Sequence, residues 1–243
     1  MIVHCFFEQS GTFKNQFKKL GIEAYDYDIK NDFGETDYVI DLFAEIDKCF
    51  AGGGSIFDKI SQDDLIMAFF PCVRFEEQIL LSFRGQNNGM KNWSLQKKLD
   101  NAMKLHDELS YMYKLTCKMF HICKQKSLKL IMENPYSKDH YLRKYWCVFP
   151  AVIDMNRRER GDYFKKPTQY FFLNCEPKNN LILEATPNNA IKTKGPIRSM
   201  KAKDYKKLGV KNRQVARSMI HPDYANRFIR EYILEDEKEQ QEV

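Results

Sequence analysis

Two short pieces of this 243-residue chain carry residues able to do covalent chemistry. In "LIMAFFPCVRFEEQ" an apolar run stops at Pro71 and Cys72, with Arg74, Glu76 and Glu77 directly behind it, and "LKLIMENPY" is a second apolar run that ends on Glu133 and Asn134. A cysteine whose thiolate is stabilised by positive charge, here from Arg74 and Arg84, is a nucleophile. A carboxyl and an amide beside it suit covalent chemistry on a polar ring. Near the N-terminus, "FEQSGTF" places Gly11 between the small Ser10 and Thr12, in a turn that lets backbone N–H groups approach an anionic group. Asp26 and Asp28 close the next run and can accept both hydroxyls of a ribose. Asp41, one run further on, can accept from an adenine amino group. Together these outline a pocket for an adenosine-containing cofactor.

The elements that must hold these residues follow from periodicity. "MIVHCFF" reads as a buried strand, and "GTFKNQFKKLG" as a helix with Phe13, Phe17 and Leu20 on one face and Gly21 as its stop. "EAYDYDI" is a second strand, "YVIDL" a third ending on Asp41, "AGGGSIFDKI" a flexible break, and "DLIMAFF" a fourth strand. From Ser94 to Lys126, Leu99, Met103, Leu109, Met112, Leu115, Met119 and Ile122 recur at helical spacing and lead into the strand "LKLIME". "TQYFFLN" is a further strand, and "HPDYANRFIREYIL" a closing helix with Pro222 near its start. Strands alternating with helices predict a doubly wound α/β sheet, which binds ligands at the carboxyl ends of its strands.

Seven scattered cysteines, without paired spacing, read as reduced. Cys117, His121 and Cys123 lie on an apolar helix and read as core, so no metal is expected. Trp93, Tyr111 and Tyr113 are read as packing residues, and "GGGS" lacks the Gly-Lys-Ser/Thr of a phosphate loop. No run reaches membrane-spanning length and no signal peptide is recognised, so a cytoplasmic protein is expected. The net charge of +6 is unevenly spread, with a strongly basic stretch between Lys165 and Arg230 that favours a polyanionic partner.

These motifs, in this order over residues 1 to 233, resemble the DNA cytosine carbon-5 methyltransferases, which use S-adenosylmethionine, and particularly their short phage and mobile-element relatives. "FEQSGTFKNQFKKLG" resembles the family's opening Phe-x-Gly-x-Gly-Gly turn and helix, with Gln9 and Thr12 where glycines are usual. "FFPCVRF" resembles the Pro-Cys loop, with Val73-Arg74-Phe75-Glu76 in place of the usual continuation, and "IMENPY" the Glu-Asn-Val motif in its Glu-Asn-Pro form. "GDYFKKPTQYFFLN", through Lys165, Lys166 and Thr168, resembles the basic motif before the next strand, and "RSMIHPDYANRFIREYI" the closing helix. The resemblance implies a Rossmann-like S-adenosylmethionine-dependent fold. It places Cys72, Glu133, Asn134, Arg74 and Lys166 in catalysis, and Phe7, Gln9, Ser10, Gly11, Thr12, Phe13, Asp26, Asp28, Asp41, Leu42 and Pro71 around the cofactor.

The implied organisation is a cofactor-binding and catalytic domain over 1–174, a small basic connection or reduced target-recognition region over 175–214, a closing helix over 215–234 and a frayed acidic tail over 235–243. The implied partner is DNA with the target cytosine flipped out. Cys72 would attack ring carbon 6 while Glu133 holds a proton at ring nitrogen 3. Two alternatives stay open: a cofactor- or DNA-binding pseudoenzyme of a mobile element, and a methyltransferase of RNA or free cytidine nucleotides.

Overall fold

The computed structural model describes residues 1–77, 79–191, 201, 205–206, 208–210 and 213–235. Seven strands form one sheet in the order β3-β2-β1-β4-β5-β7-β6. They are β1 (Val3–Phe6), β2 (Ala24–Asp28), β3 (Tyr38–Val39), β4 (Leu65–Ala68), β5 (Lys129–Pro135), β6 (Val152–Asp154) and β7 (Thr168–Leu173). The first five pair in parallel, whereas β7 lies antiparallel between β5 and β6. This is an α/β architecture with a mostly parallel sheet, compatible with a Rossmann-like fold.

Both faces of the sheet are covered, so its central strands are apolar on both sides. Phe6, Ile66, Leu130 and Phe171 face one core with α2 (Leu42–Phe50) and α4 (Leu95–Gln125). Cys5, Met67, Ile131 and Tyr170 face the other, with α1 (Thr12–Lys19) and the closing helix Pro222–Tyr232. Phe228 of that helix stacks on Tyr170, with ring centroids 4.1 Å apart, and meets Phe13 edge-on.

Three sequence expectations change. The third strand is only two residues long, because Asp41 accepts from Phe43 N and Ala44 N and so starts α2 as its N-cap. Within "AGGGSIFDKI", Ser55 and Asp58 form a capping box that orders a short 3-10 turn over Ile56–Lys59. The apolar stripe of α4 is buried only from Leu105 onward, and Leu99 and Met103 are exposed. The edge strand β6 was not anticipated. It has three residues, too few to show alternation.

The stretch from Lys178 to Glu184 runs along the closing helix. Lys178 N and Asn180 N donate to Tyr232 O and Glu231 O, the Asn180 amide donates to Arg230 O and Leu234 O, and Glu184 takes both terminal nitrogens of Arg230 at 2.6 and 2.7 Å. Most of 192–212, and the expected frayed tail beyond Glu235, lie outside the described residues. No described helix is long and apolar enough to cross a membrane.

The closing helix clamps α1 to β7 chiefly through Phe228. Phe228→Ala should therefore cost about 3–5 kcal/mol, read as a lower urea midpoint with an unchanged slope.

Candidate active site

Strand order reverses between β1 and β4, and crevices form outside the carboxyl ends of parallel strands at such a point. The chain leaves β1 through Phe7, whose φ of +60° turns it sharply. Glu8 follows, almost fully buried, and accepts from Phe13 N at 2.8 Å and Lys14 N at 3.2 Å. A carboxylate of the chain's own thus occupies the first turn of α1. Burial pushes the Glu8 carboxyl up to about 7, against the two N–H bonds that favour its charge, with Asp26 adding to the rise.

Gly11 is required at its place, with φ +62°, and a Cβ there would come within 2.9 Å of Glu35 Oε2. The exposed Glu35 side chain, held by Asn15 Nδ2, stands over the glycine. Ser10 Oγ and Thr12 Oγ1 bond each other at 3.0 Å, and Gln9 Oε1 accepts weakly from Asp32 N. Segment 30–37 is drawn over this turn by Lys14, whose buried ammonium meets Asp26 Oδ1 at 3.0 Å, Asp37 Oδ2 at 3.3 Å and Glu35 O. Burial alone would lower the Lys14 pKa, and the two carboxylates more than reverse that.

The cofactor residues expected from sequence separate into two groups. Asp26 is fully buried in the Lys14 pair on the α1 side, and the side chains of Phe13 and Leu42 lie in the cores, so these three do not face the crevice. Asp26 and Asp28 share one face of the pleat, and Asp28 is the one that stands at the carboxyl end of β2, half-buried, with Oδ1 accepting from Lys30 N. Burial raises its pKa. Asp41 Oδ1 is used by the α2 cap, which leaves Oδ2 for any other donor. Phe7 packs between Phe43 and Phe70, beside half-buried Pro71.

Beyond Pro71 the chain makes a turn in which Phe75 N and Glu76 N donate to Cys72 O. That turn sets Glu76 on the thiol, and Cys72 Sγ donates to Glu76 Oε1 at 3.1 Å. It also sends Arg74 the other way, where its Nε donates to Glu108 Oε2 of α4 at 2.6 Å. The expected Arg74–Arg84 stabilisation of a thiolate is absent from the described contacts. Burial and then Glu76 hold the Cys72 thiol well above its usual range, with Lys166 pulling in the opposite direction and Glu133 adding to the rise.

Asn134, fully buried, donates to Phe70 O at 3.0 Å and thereby ties the end of β5 to the loop that carries Cys72. Glu133 points to the other face, where Arg157 Nη1 approaches its Oε1 at 3.6 Å and Oε1 has no hydrogen-bond partner. Arg157 is itself fully buried, paired with Asp162 at 2.5 Å and stacked on Tyr224. Cys72 opens onto a cleft of about 810 Å³ whose walls include Lys165, Lys166, Arg213 and Arg217, together with Tyr136 and His140. Burial lowers the His140 pKa to about 4, so its imidazole is neutral at neutral pH.

No protein-family model matches the chain, and no curated protein matches it. The geometry of these strand ends therefore carries the functional argument, together with the motif resemblance.

Three residues of this region were not singled out from the sequence. Glu8 was legible, since a carboxylate directly after a strand and five residues before Phe13 is placed to cap the helix. Glu76 was legible only once a helical turn at Cys72 is known, which makes the two i and i+4 neighbours. Arg157 has one local partner, Asp162, and its other contacts lie on β5, on β7 and in the closing helix, where the sequence gives no signal.

A carboxyl whose pKa is raised on folding stabilises the folded state only while protonated. The contribution from Glu8 is full below the unfolded value near 4.5 and is lost as pH rises through about 7. Wild type should lose about 3 kcal/mol across that window on account of this group. Glu8→Gln should flatten this part of the profile, which urea melts at pH 5 and pH 8 will measure. An identical profile in both proteins would rule the assignment out.

Proposed function

We propose that the protein transfers a methyl group from S-adenosylmethionine to carbon 5 of a cytosine in DNA, through a covalent Cys72 adduct. The observation that carries this reading is the placement of Cys72, in the loop beyond β4, on a cleft with a basic wall, with that loop tied through Asn134 to the end of β5, which also carries Glu133. Two motifs of the resemblance, far apart in sequence, lie at adjacent strand ends.

The crevice residues fit a cofactor of net positive charge. Glu8 and Glu35 take the places where a pyrophosphate would need N–H donors and open space, so a dinucleotide would meet carboxylates there. A sulfonium with an ammonium group would find its charge compensated. Asp28 would hold the ribose, Asp41 Oδ2 the adenine amino group, and Phe7 and Pro71 an apolar wall. Bound there, the cofactor supplies an electrophilic methyl group.

The chain's own residues account for the activation of the ring. Cys72 Sγ attacks ring carbon 6 while its proton passes to Glu76 Oε1, already in contact with it. The carbon 5–carbon 6 π pair moves toward carbon 5 and ring nitrogen 3, where Glu133 would hold a proton once its side chain turns from Arg157 toward the ring. Asn134 keeps the Cys72 loop against β5 during the attack. After transfer, the carbon 5 hydrogen leaves as a proton, the Sγ–carbon 6 bond breaks, and Glu76 returns a proton to sulfur. A cytosine must leave the duplex to reach Cys72, at roughly a few kcal/mol. The basic wall would offset that cost on the phosphates, and it favours a polyanion over a free nucleotide.

S-adenosylmethionine should bind the wild type in calorimetry, and Asp28→Ala should weaken binding by about 1.5–3 kcal/mol. Absence of binding by folded wild type would sink the reading.

A mixed-sequence duplex library carrying 5-fluorocytosine should form a denaturant-resistant adduct when cofactor is present, because fluorine cannot leave as a proton does. Cys72→Ser should abolish the adduct. Glu76→Gln should slow it by roughly 10²–10⁴-fold, yet should speed iodoacetamide labelling of Cys72 in the free protein, since a repelling carboxylate is gone. Peptide mass spectrometry reads the labelling. Adduct formation as fast in Glu76→Gln as in wild type would remove Glu76 from the role of base.

A further inference from the structure

The first three turns of α4 project past the sheet. The helix leads into the amino end of β5, and its Glu108 is already level with Arg74 of the loop beyond β4, so the turns before Leu105 run past the carboxyl edge. From Leu95 to Lys104 no residue is buried as a whole, though the Asn101 amide nitrogen is enclosed. Ten residues of helix extend about 15 Å. This overhang rises beside the Cys72 cleft and is joined to it at its base, where Arg74 of the cleft loop meets Glu108. It is also braced along its side. Gly85, with φ +62°, lets the stem of Lys98 pass so close that a Cβ there would lie 2.8 Å from Lys98 Cδ.

The chemistry of the overhang is mixed in a particular way. Leu95, Leu99 and Met103 recur every four residues and are 72%, 51% and 61% exposed. Around them stand Lys91, Lys97, Lys98 and Lys104 against Asp100. Among the described residues Lys91, Lys97 and Lys98 meet no carboxylate at ion-pair distance, and Lys97 instead lies over the Trp93 ring at 4.3 Å. A second copy of so basic an arm would repel the first. A duplex complements it, since lysines suit phosphates, an apolar stripe suits sugars and thymine methyl groups, and a major groove admits one helix.

We propose that this arm, residues 91 to 104, is the element that holds and reads duplex DNA beside the target base. The inference rests on the nucleic-acid reading of the Cys72 cleft. It moves recognition away from the stretch Lys178 to Asn189, which is bonded to the closing helix and to Gly161.

The test uses the full chain, a labelled 30-base-pair mixed-sequence duplex and fluorescence anisotropy between about 50 and 200 mM salt. The triple variant Lys91→Gln/Lys97→Gln/Lys98→Gln should bind about tenfold or more weakly, with a salt slope lower by about 2 to 3. Its circular dichroism and S-adenosylmethionine affinity should match the wild type. Leu99→Ala/Met103→Ala should keep the salt slope and shift the sequences recovered from a library. Lys166→Gln/Arg217→Gln, in the cleft wall, serves as the comparison. If that pair weakens binding while the arm triple equals wild type in affinity and slope, the arm is not the reader and the methyl-transfer reading stands. If wild type does not bind duplex at all, both readings fall. A wild-type dimer in sedimentation that Leu99→Asp converts to monomer would give the arm to a second copy and overturn the proposal.

Discussion

Parallel pairing is the constraint on which the rest depends. Because β1, β2, β3, β4 and β5 all run the same way, the residues that leave them emerge along one edge of the sheet. Glu8, Asp28, Asp41, Cys72 and Asn134 are far apart in sequence and become neighbours for that reason alone. The reversal of strand order between β1 and β4 then divides the edge into an acidic crevice over β1 and β2 and a cleft with a basic wall over β4 and β5.

Each half is braced by a buried cation. Lys14 holds Asp26 and Asp37 and pulls segment 30–37 across the α1 turn, while Arg157 holds Asp162 and stands against Glu133. Removing such charges from water is costly, and their partners compensate only when the geometry is complete. The two clusters thereby make the positions of Glu35 and Glu133 depend on one packed arrangement. A hydrophobic replacement of equal volume could keep the fold, but it would leave the facing carboxylates without a charge to hold them.

The electrostatics of Cys72 run opposite to those of a thiolate held ready by arginine. Burial and Glu76 keep the proton on sulfur, and the same carboxylate is in place to accept it. A thiol held this way is little ionised in the free protein. Arg74, which the motif resemblance places in catalysis, instead connects the cleft loop to α4.

What the sequence determined by itself is local. Apolar runs and helical spacing marked β1, α1, β2, β4, most of α4, β5, β7 and the closing helix, because such patterns follow from which face each segment buries. The strand ends carrying Cys72, Glu133, Asn134 and Asp28 were legible for the same reason, since a polar residue directly after a buried run has to sit at an edge. Tertiary structure alone decided where charge goes. Asp26 and Asp28 differ by two residues, yet one is sealed against Lys14 and the other stands at the crevice, because Asp28 ends the strand. Leu99 and Leu115 obey the same helical pattern, but only Leu115 has a sheet beneath it. The length of a helix is written in its residues, whereas the extent of the surface that covers it depends on strands folded elsewhere in the chain.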